Sequence, residues 1–198
     1  KLEDAKKTFL NFLNLNKTVF DTFFNLGLIY YKLNDFKNSI KNYNLAGKLS
    51  SKSSSLFYNL GIVYSDIGED FKSIESFKKA ILYDPKHIKS MNNLGVKYIE
   101  INEIDSAISM LKNAIKINDQ YASAYNNLGT ALLSSNKNDE ALKFFSAAFK
   151  LDNNLLSAGV QKHFLKRKVC DWSGEIELKN ILEKTKIIDQ DVPPWHCL

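Results

Sequence analysis

Arginine is almost missing from this chain: Arg167 is the only one among 27 basic residues. Guanidinium groups are the favoured forks for phosphate oxygens and base edges. A chain that carries its +5 net charge almost wholly on lysine is therefore a poor candidate for dedicated nucleic-acid recognition. Cysteine is scarce too. Cys170 and Cys197 are the only two, too few for a disulfide framework, and a reducing, cytoplasmic setting is the simpler reading. No apolar run approaches the ~18–20 residues that span a bilayer, and no signal peptide is visible. Half of the eight glycines sit in one recurring motif, so no glycine-rich phosphate loop is present. No Ser/His/acid or Cys/His set is suggested by spacing. His87 follows Pro85 and is expected to be solvated, and His196-Cys197 stand without a CxxC or HxxxH. No catalytic residue and no metal site is expected. Hydrophobic residues make up 44% and charged residues 25%, ordinary globular values that argue against disorder. The 198 residues suffice for one domain or one repeat array. The chain opens at Lys1, in mid-pattern, which reads as a piece of a longer protein.

What the sequence has is a repeat. The tripeptide Asn-Leu-Gly recurs at Asn25-Leu26-Gly27, Asn59-Leu60-Gly61, Asn93-Leu94-Gly95 and Asn127-Leu128-Gly129. Other columns keep the same register. A large apolar residue comes before each tripeptide (Phe23, Phe57, Met91, Tyr125) and another after it (Tyr30, Tyr64, Tyr98, Leu132). Small residues recur at Ser39, Ser73, Ala107 and Ala141, an apolar residue at Tyr43, Phe77, Leu111 and Phe145, and alanine at Ala46, Ala80, Ala114 and Ala148. Spacings of three and four put Phe57, Leu60, Gly61 and Tyr64 on one helical face. Ser73, Phe77 and Ala80 form the face of a second helix. The small residues let the helices approach, and the aromatic fills the groove beside them. Asn34, Gly68, Asn102 and Asn136 stand between the helices, where a left-handed residue ends a helix.

This pattern resembles the tetratricopeptide (TPR) repeat family. Phe, Met or Tyr replaces the usual tryptophan, and serine replaces the usual alanine in two repeats, changes expected to weaken those repeats. The resemblance implies an all-α fold, a right-handed α-solenoid of helical hairpins with a C-terminal capping helix and linker. The register divides the chain into a partial repeat (1–19, second helix only), four repeats (20–53, 54–87, 88–121, 122–154), a capping helix with a Cys-Asp-Trp motif (155–172), and a helix with an extended linker (173–198). In the capping helix the pattern fails: Gly159, Lys162, His163 and Lys166 occupy the apolar and glycine columns, as in a terminal element.

First helices line the concave side of such a stack. Asn25, Asn59, Asn93 and Asn127 are expected to form a ladder there, with Asn92 and Asn126 beside two rungs. A carboxamide offers an acceptor and two donors, the complement of a peptide unit, so the ladder can hold an extended polypeptide by its backbone. The alternative is that the asparagines serve the hairpin itself. The residues flanking the tripeptides (Phe24, Tyr58, Asn92, Asn126; Leu28, Ile62, Val96, Thr130) supply no cationic pair, which argues against a clamp for a C-terminal carboxylate. The basic run Lys162, Lys166, Arg167, Lys168 is most simply a solvated helix end favoured by the macrodipole, with nucleic acid or anionic lipid as alternatives. Membrane binding is otherwise not expected.

Past the array, Cys170-Asp171-Trp172 precedes a helix expected from Gly174 to Ile188, with Ile181, Leu182 and Ile188 on one stripe and Asp171 or Ser173 as its cap. Residues 189–195 contain Pro193-Pro194 and should be extended. The tripeptide, the charged helix with Glu175, Glu177 and Lys179, and Val192-Pro193 together resemble the protein O-linked N-acetylglucosamine transferase and SPINDLY-type families, in which a TPR array leads into a glycosyltransferase domain. That resemblance implies an acceptor-protein-binding arm. No cofactor belongs to this chain, and a nucleotide-sugar donor would bind in a domain outside it. Trp172 is expected to seal the hydrophobic end of the array. The competing reading is a free-standing TPR adaptor or scaffold.

Overall fold

A computed structural model describes residues 20–169 and 171–185, together with Lys7. The expected helix over 1–19, Cys170, and the extended stretch with Pro193, Trp195 and Cys197 lie outside the described residues. The described part is all-α, as the periodicity requires, with ten helices and no strand.

The helices are α1 (Phe20–Lys32), α2 (Phe36–Leu49), α3 (Ser54–Asp66), α4 (Asp70–Tyr83), α5 (Ile88–Glu100), α6 (Ile104–Ile117), α7 (Ala122–Ser134), α8 (Asn138–Leu151), α9 (Leu156–Lys168) and α10 (Glu175–Thr185). First helices begin at 20, 54, 88, 122 and 156, so the 34-residue step of the sequence is the step of the structure. Contacts divide the chain into two compact units, 1–97 and 98–198. The first holds the hairpins α1–α2 and α3–α4 and most of α5. The second holds α6, the hairpin α7–α8, α9 and α10.

Each hairpin turns by the same backbone device. Asn34, Gly68, Asn102 and Asn136 have φ of 59°, 76°, 62° and 58°, and asparagine and glycine carry this left-handed conformation at least cost. The next residue donates its N–H back to the helix, as in Asp35 to Tyr30 (2.9 Å), Glu69 to Tyr64 (2.9 Å) and Lys137 to Leu132 (3.0 Å). These are Schellman turns, which satisfy carbonyls the helix end would leave bare. At the far end of the second helices, Ser50, Asp84, Asn118 and Asp152 turn extended, and each donates to the recurring alanine four residues earlier. Ser53 and Asp35 cap α3 and α2 through their side-chain oxygens.

The cores follow the columns. Tyr43, Phe77 and Phe145 are buried against glycine: a Cβ placed on Gly27, Gly61 or Gly129 would lie 2.6, 2.5 or 2.9 Å from those rings. Leu26, Leu60 and Leu128 and the alanine column fill the rest. The two serines at the small column bind across the hairpin. Ser39 Oγ donates to Gly27 O at 2.8 Å and Ser73 Oγ to Gly61 O at 2.9 Å, adding an interhelical hydrogen bond where alanine offers only packing.

The end of the second unit corrects two expectations. First, the basic face of α9 is not simply solvated: it binds the approach to α10 and α10 itself. Lys162 meets Glu177 (2.8 Å), Arg167 meets Glu175 through two nitrogens (2.9 and 3.0 Å), and Lys166 meets Asp171 (3.3 Å). Second, Trp172 does not seal the array. It is 45% exposed and lies under the Arg167 guanidinium. Leu178 and Ile181 of α10 are the buried residues, with Ile181 and Phe149 filling the space above Gly159. The helix expected from Gly174 is α10, described over Glu175–Thr185, while Ile188 lies outside the described residues; Asp171 Oδ1 accepts from the Ser173 N–H (2.9 Å) in the turn before it. Hydrogen bonds from Ser173 and Lys166 hold the Asp171 carboxyl down to about 2.

Candidate functional site

The asparagines of the tripeptide sit on the first helices: Asn25 on α1, Asn59 on α3, Asn93 on α5, Asn127 on α7. All four are half-buried, as is Asn126. The doubled asparagines pair with each other. Asn92 donates its amide to Asn93 Oδ1 at 3.2 Å, and Asn126 donates to Asn127 Oδ1 at 3.3 Å. Asn92 is itself buried, so it orients the neighbouring Asn93 side chain. Ser157 at the start of α9 donates to Asn126 at 3.4 Å.

Within the first unit the structure adds residues that the columns did not single out as a site. A groove of about 200 Å³ opens between α3 and α5 over α4, lined by Ile62, Ser65, Asp66, Phe77, Asn93, Val96 and Lys97. Asn93 therefore has a pocket beside it. Lys97 occupies the column that holds Ile29, Val63 and Ala131 elsewhere, yet it is buried. Its ammonium pairs with Asp70 at 3.0 Å. Asp66 is exposed and accepts the Tyr31 hydroxyl at Oδ2, 2.7 Å away. Partial burial and this carboxylate push the Tyr31 hydroxyl up to about 12, so it stays a proton donor. A lysine in an apolar column was the sequence signal that marked this place.

His87, expected to be solvated, is a working cap. Its Nδ1 accepts from the Ser90 N–H (3.2 Å) and lies 2.8 Å from Ser90 Oγ, and its ring lies 5.1 Å from Tyr58. Partial burial holds its pKa below the ordinary value, which keeps Nδ1 free to accept. His163 is buried in α9 with Nε2 2.8 Å from Glu177 Oε2. No described helix is long and apolar enough to cross a membrane.

Models of the TPR repeat match residues 27–68 and 95–135, and models of the tetratricopeptide repeat match 54–87 and 122–155. These hairpins are tetratricopeptide repeats. Among solved structures the chain is similar to PilW, described as a widely conserved type IV pilus biogenesis factor, at 15% identity with a TM-score of 0.80 over 96% of this chain and 88% of that one. It is similar to MamA at 24% identity and TM-score 0.72, over 77% and 90%. It is also similar to YrrB, described as a TPR protein with an unusual peptide-binding site, at 19% and 0.69, over 88% and 91%. At these identities the likeness establishes the TPR fold. No curated protein sequence matches the chain.

Proposed function

We propose that this TPR chain is a polypeptide-binding module that acts as an adaptor or scaffold, holding an extended segment of a partner along its first-helix asparagines. The observation that carries this reading is Asn93. Its carbonyl is engaged by Asn92, which leaves its amide donors for a ligand, and it lines a groove with apolar walls. Each hydrogen bond contributes about 0.5–1.5 kcal/mol net, and ordering each peptide residue costs about 1–2 kcal/mol. Affinity therefore requires side-chain pockets as well as rungs. The similar structures support a binding role: YrrB is described as a TPR protein with an unusual peptide-binding site.

The test is selection from a random peptide library displayed on phage, against the wild-type protein and against the Asn59→Ala/Asn93→Ala/Asn127→Ala variant. Enrichment on the wild type and its loss on a variant of equal helicity support the reading. Equal enrichment on both sinks the ladder, and unfolding of the variant assigns the asparagines to the hairpins.

A second reading keeps the acceptor-binding arm of a protein O-glycosyltransferase. It rests on Asp171-Trp172, which follow a lone first helix and precede a charged helix, as that resemblance implies. The nucleotide-sugar donor would then bind outside this chain. None of the three structures named above is described as a glycosyltransferase, so the adaptor has the better support. A natural gene running on past Leu198 into a nucleotide-binding α/β domain would favour the arm. A stop codon shortly after it would remove that reading.

A further inference from the structure

We propose that the groove between α3 and α5 selects a cationic side chain, lysine or arginine, from the bound peptide; this rests on the peptide-binding reading and gives it a specificity. Lysine and arginine pair a long apolar stem with a charged tip, and the groove offers both surfaces. Ile62, Val96 and Phe77 supply apolar wall. The volume of about 200 Å³ has room for an extended side chain.

The charge balance sets the sign. Lys97 brings a positive charge into the groove, but it is buried and Asp70 neutralises it at 3.0 Å. Asp66 remains. It is exposed at the rim, and the Tyr31 hydroxyl fixes Oδ2 at 2.7 Å, leaving Oδ1 for a ligand. Tyr31 lies well above neutrality, so it orients the carboxylate without adding a second negative charge. The groove thus carries one net negative charge above an apolar wall, with the Asn93 amide beside it for the peptide backbone. An acidic side chain would confront Asp66 and find the only cation lining the groove already engaged.

The experiment extends the phage selection to Asp66→Asn, a change at an exposed site that keeps the acceptor for Tyr31. Peptides enriched on the wild type should share a lysine or arginine at one position. A synthetic enriched peptide, followed by fluorescence anisotropy, should bind Asp66→Asn about three- to tenfold more weakly, the scale of one partly exposed charged contact. Norleucine in place of the peptide's lysine should cost the same on the wild type and nothing further on Asp66→Asn. Enriched peptides without a basic preference, acidic peptides, or basic peptides indifferent to Asp66→Asn would each overturn the pocket while leaving peptide binding intact. No enrichment on the wild type would overturn both.

Discussion

The Lys97 ammonium lies 3.0 Å from Asp70 Oδ1 and ties α5 to the first turn of α4. One repeat earlier the same two columns hold Val63, a buried core residue, and Phe36, packed against its cluster. An ion pair stands where the earlier repeat has two apolar residues of one core. Removing one partner leaves the other charge poorly compensated, whereas replacing both with packed apolar groups is often neutral or stabilising. Because Asp70 is partly exposed, we expect Asp70→Ala to cost about 1–3 kcal/mol. The double change Lys97→Val/Asp70→Phe should recover most of that in urea denaturation. A double variant weaker than the single one would show that the pair is a net source of stability.

The glycine–aromatic columns leave no slack. A methyl at Gly61 would meet the Phe77 ring at 2.5 Å. We expect Gly61→Ala to cost about 1–3 kcal/mol through overpacking. Leu94→Ala, at a buried position, should cost about 2–5 kcal/mol by opening a cavity. Thermal unfolding followed by circular dichroism measures both. A Gly61→Ala protein as stable as the wild type would mean that the hairpin is looser than its packing indicates.

Tyr43 stands where Phe77 and Phe145 stand in other repeats, and its buried hydroxyl has no hydrogen-bond partner among the described residues. Burial pushes its pKa up. Deleting an unsatisfied buried hydroxyl removes a desolvation cost, so Tyr43→Phe should raise stability by about 1 kcal/mol. A measured loss would mean that the hydroxyl is satisfied in solution.

His87 and His163 give the protein an acid sensitivity of predictable sign. Desolvation holds both imidazoles below the ordinary value of 6.5. As pH falls past 6.5 the unfolded chain takes up protons that the folded chain resists. Their contribution to stability is therefore full above about 6.5 and is lost as pH falls toward the folded values. We expect a lower Tm at pH 5.5 than at 7.5, and a smaller drop in His87→Asn/His163→Gln, which keeps a cap and a donor to Glu177. An identical drop in the variant would place the sensitivity elsewhere.

The hairpins were legible because each rests on local rules: a column of three-and-four spacing, a left-handed asparagine or glycine, and an alanine or serine at the crossing. Asn34, Gly68, Asn102 and Asn136 turn as their residue types require. What escaped reading depends on partners distant in sequence. Lys97 looks like an error in an apolar column until Asp70 is seen beside it. The basic run of α9 reads as solvated because Glu175 and Glu177 belong to a helix outside the period. Trp172 promised the seal, but α10 provides it through Leu178 and Ile181; the stripe through Ile181 is legible in the sequence, its docking onto α9 is not.

In α9, glycine and a bulky side chain have exchanged places relative to a repeat: Gly159 holds the aromatic column and His163 the glycine column. Close approach has accordingly moved one turn earlier, to Ile181 above Gly159, while the imidazole fills the space an incoming aromatic would need. Lengthening by tandem copying is thus directional. A copied unit placed ahead of Leu156 meets a register that accepts it, and one placed directly behind His163 meets a blocked groove. Related genes of different length should therefore gain and lose their units upstream.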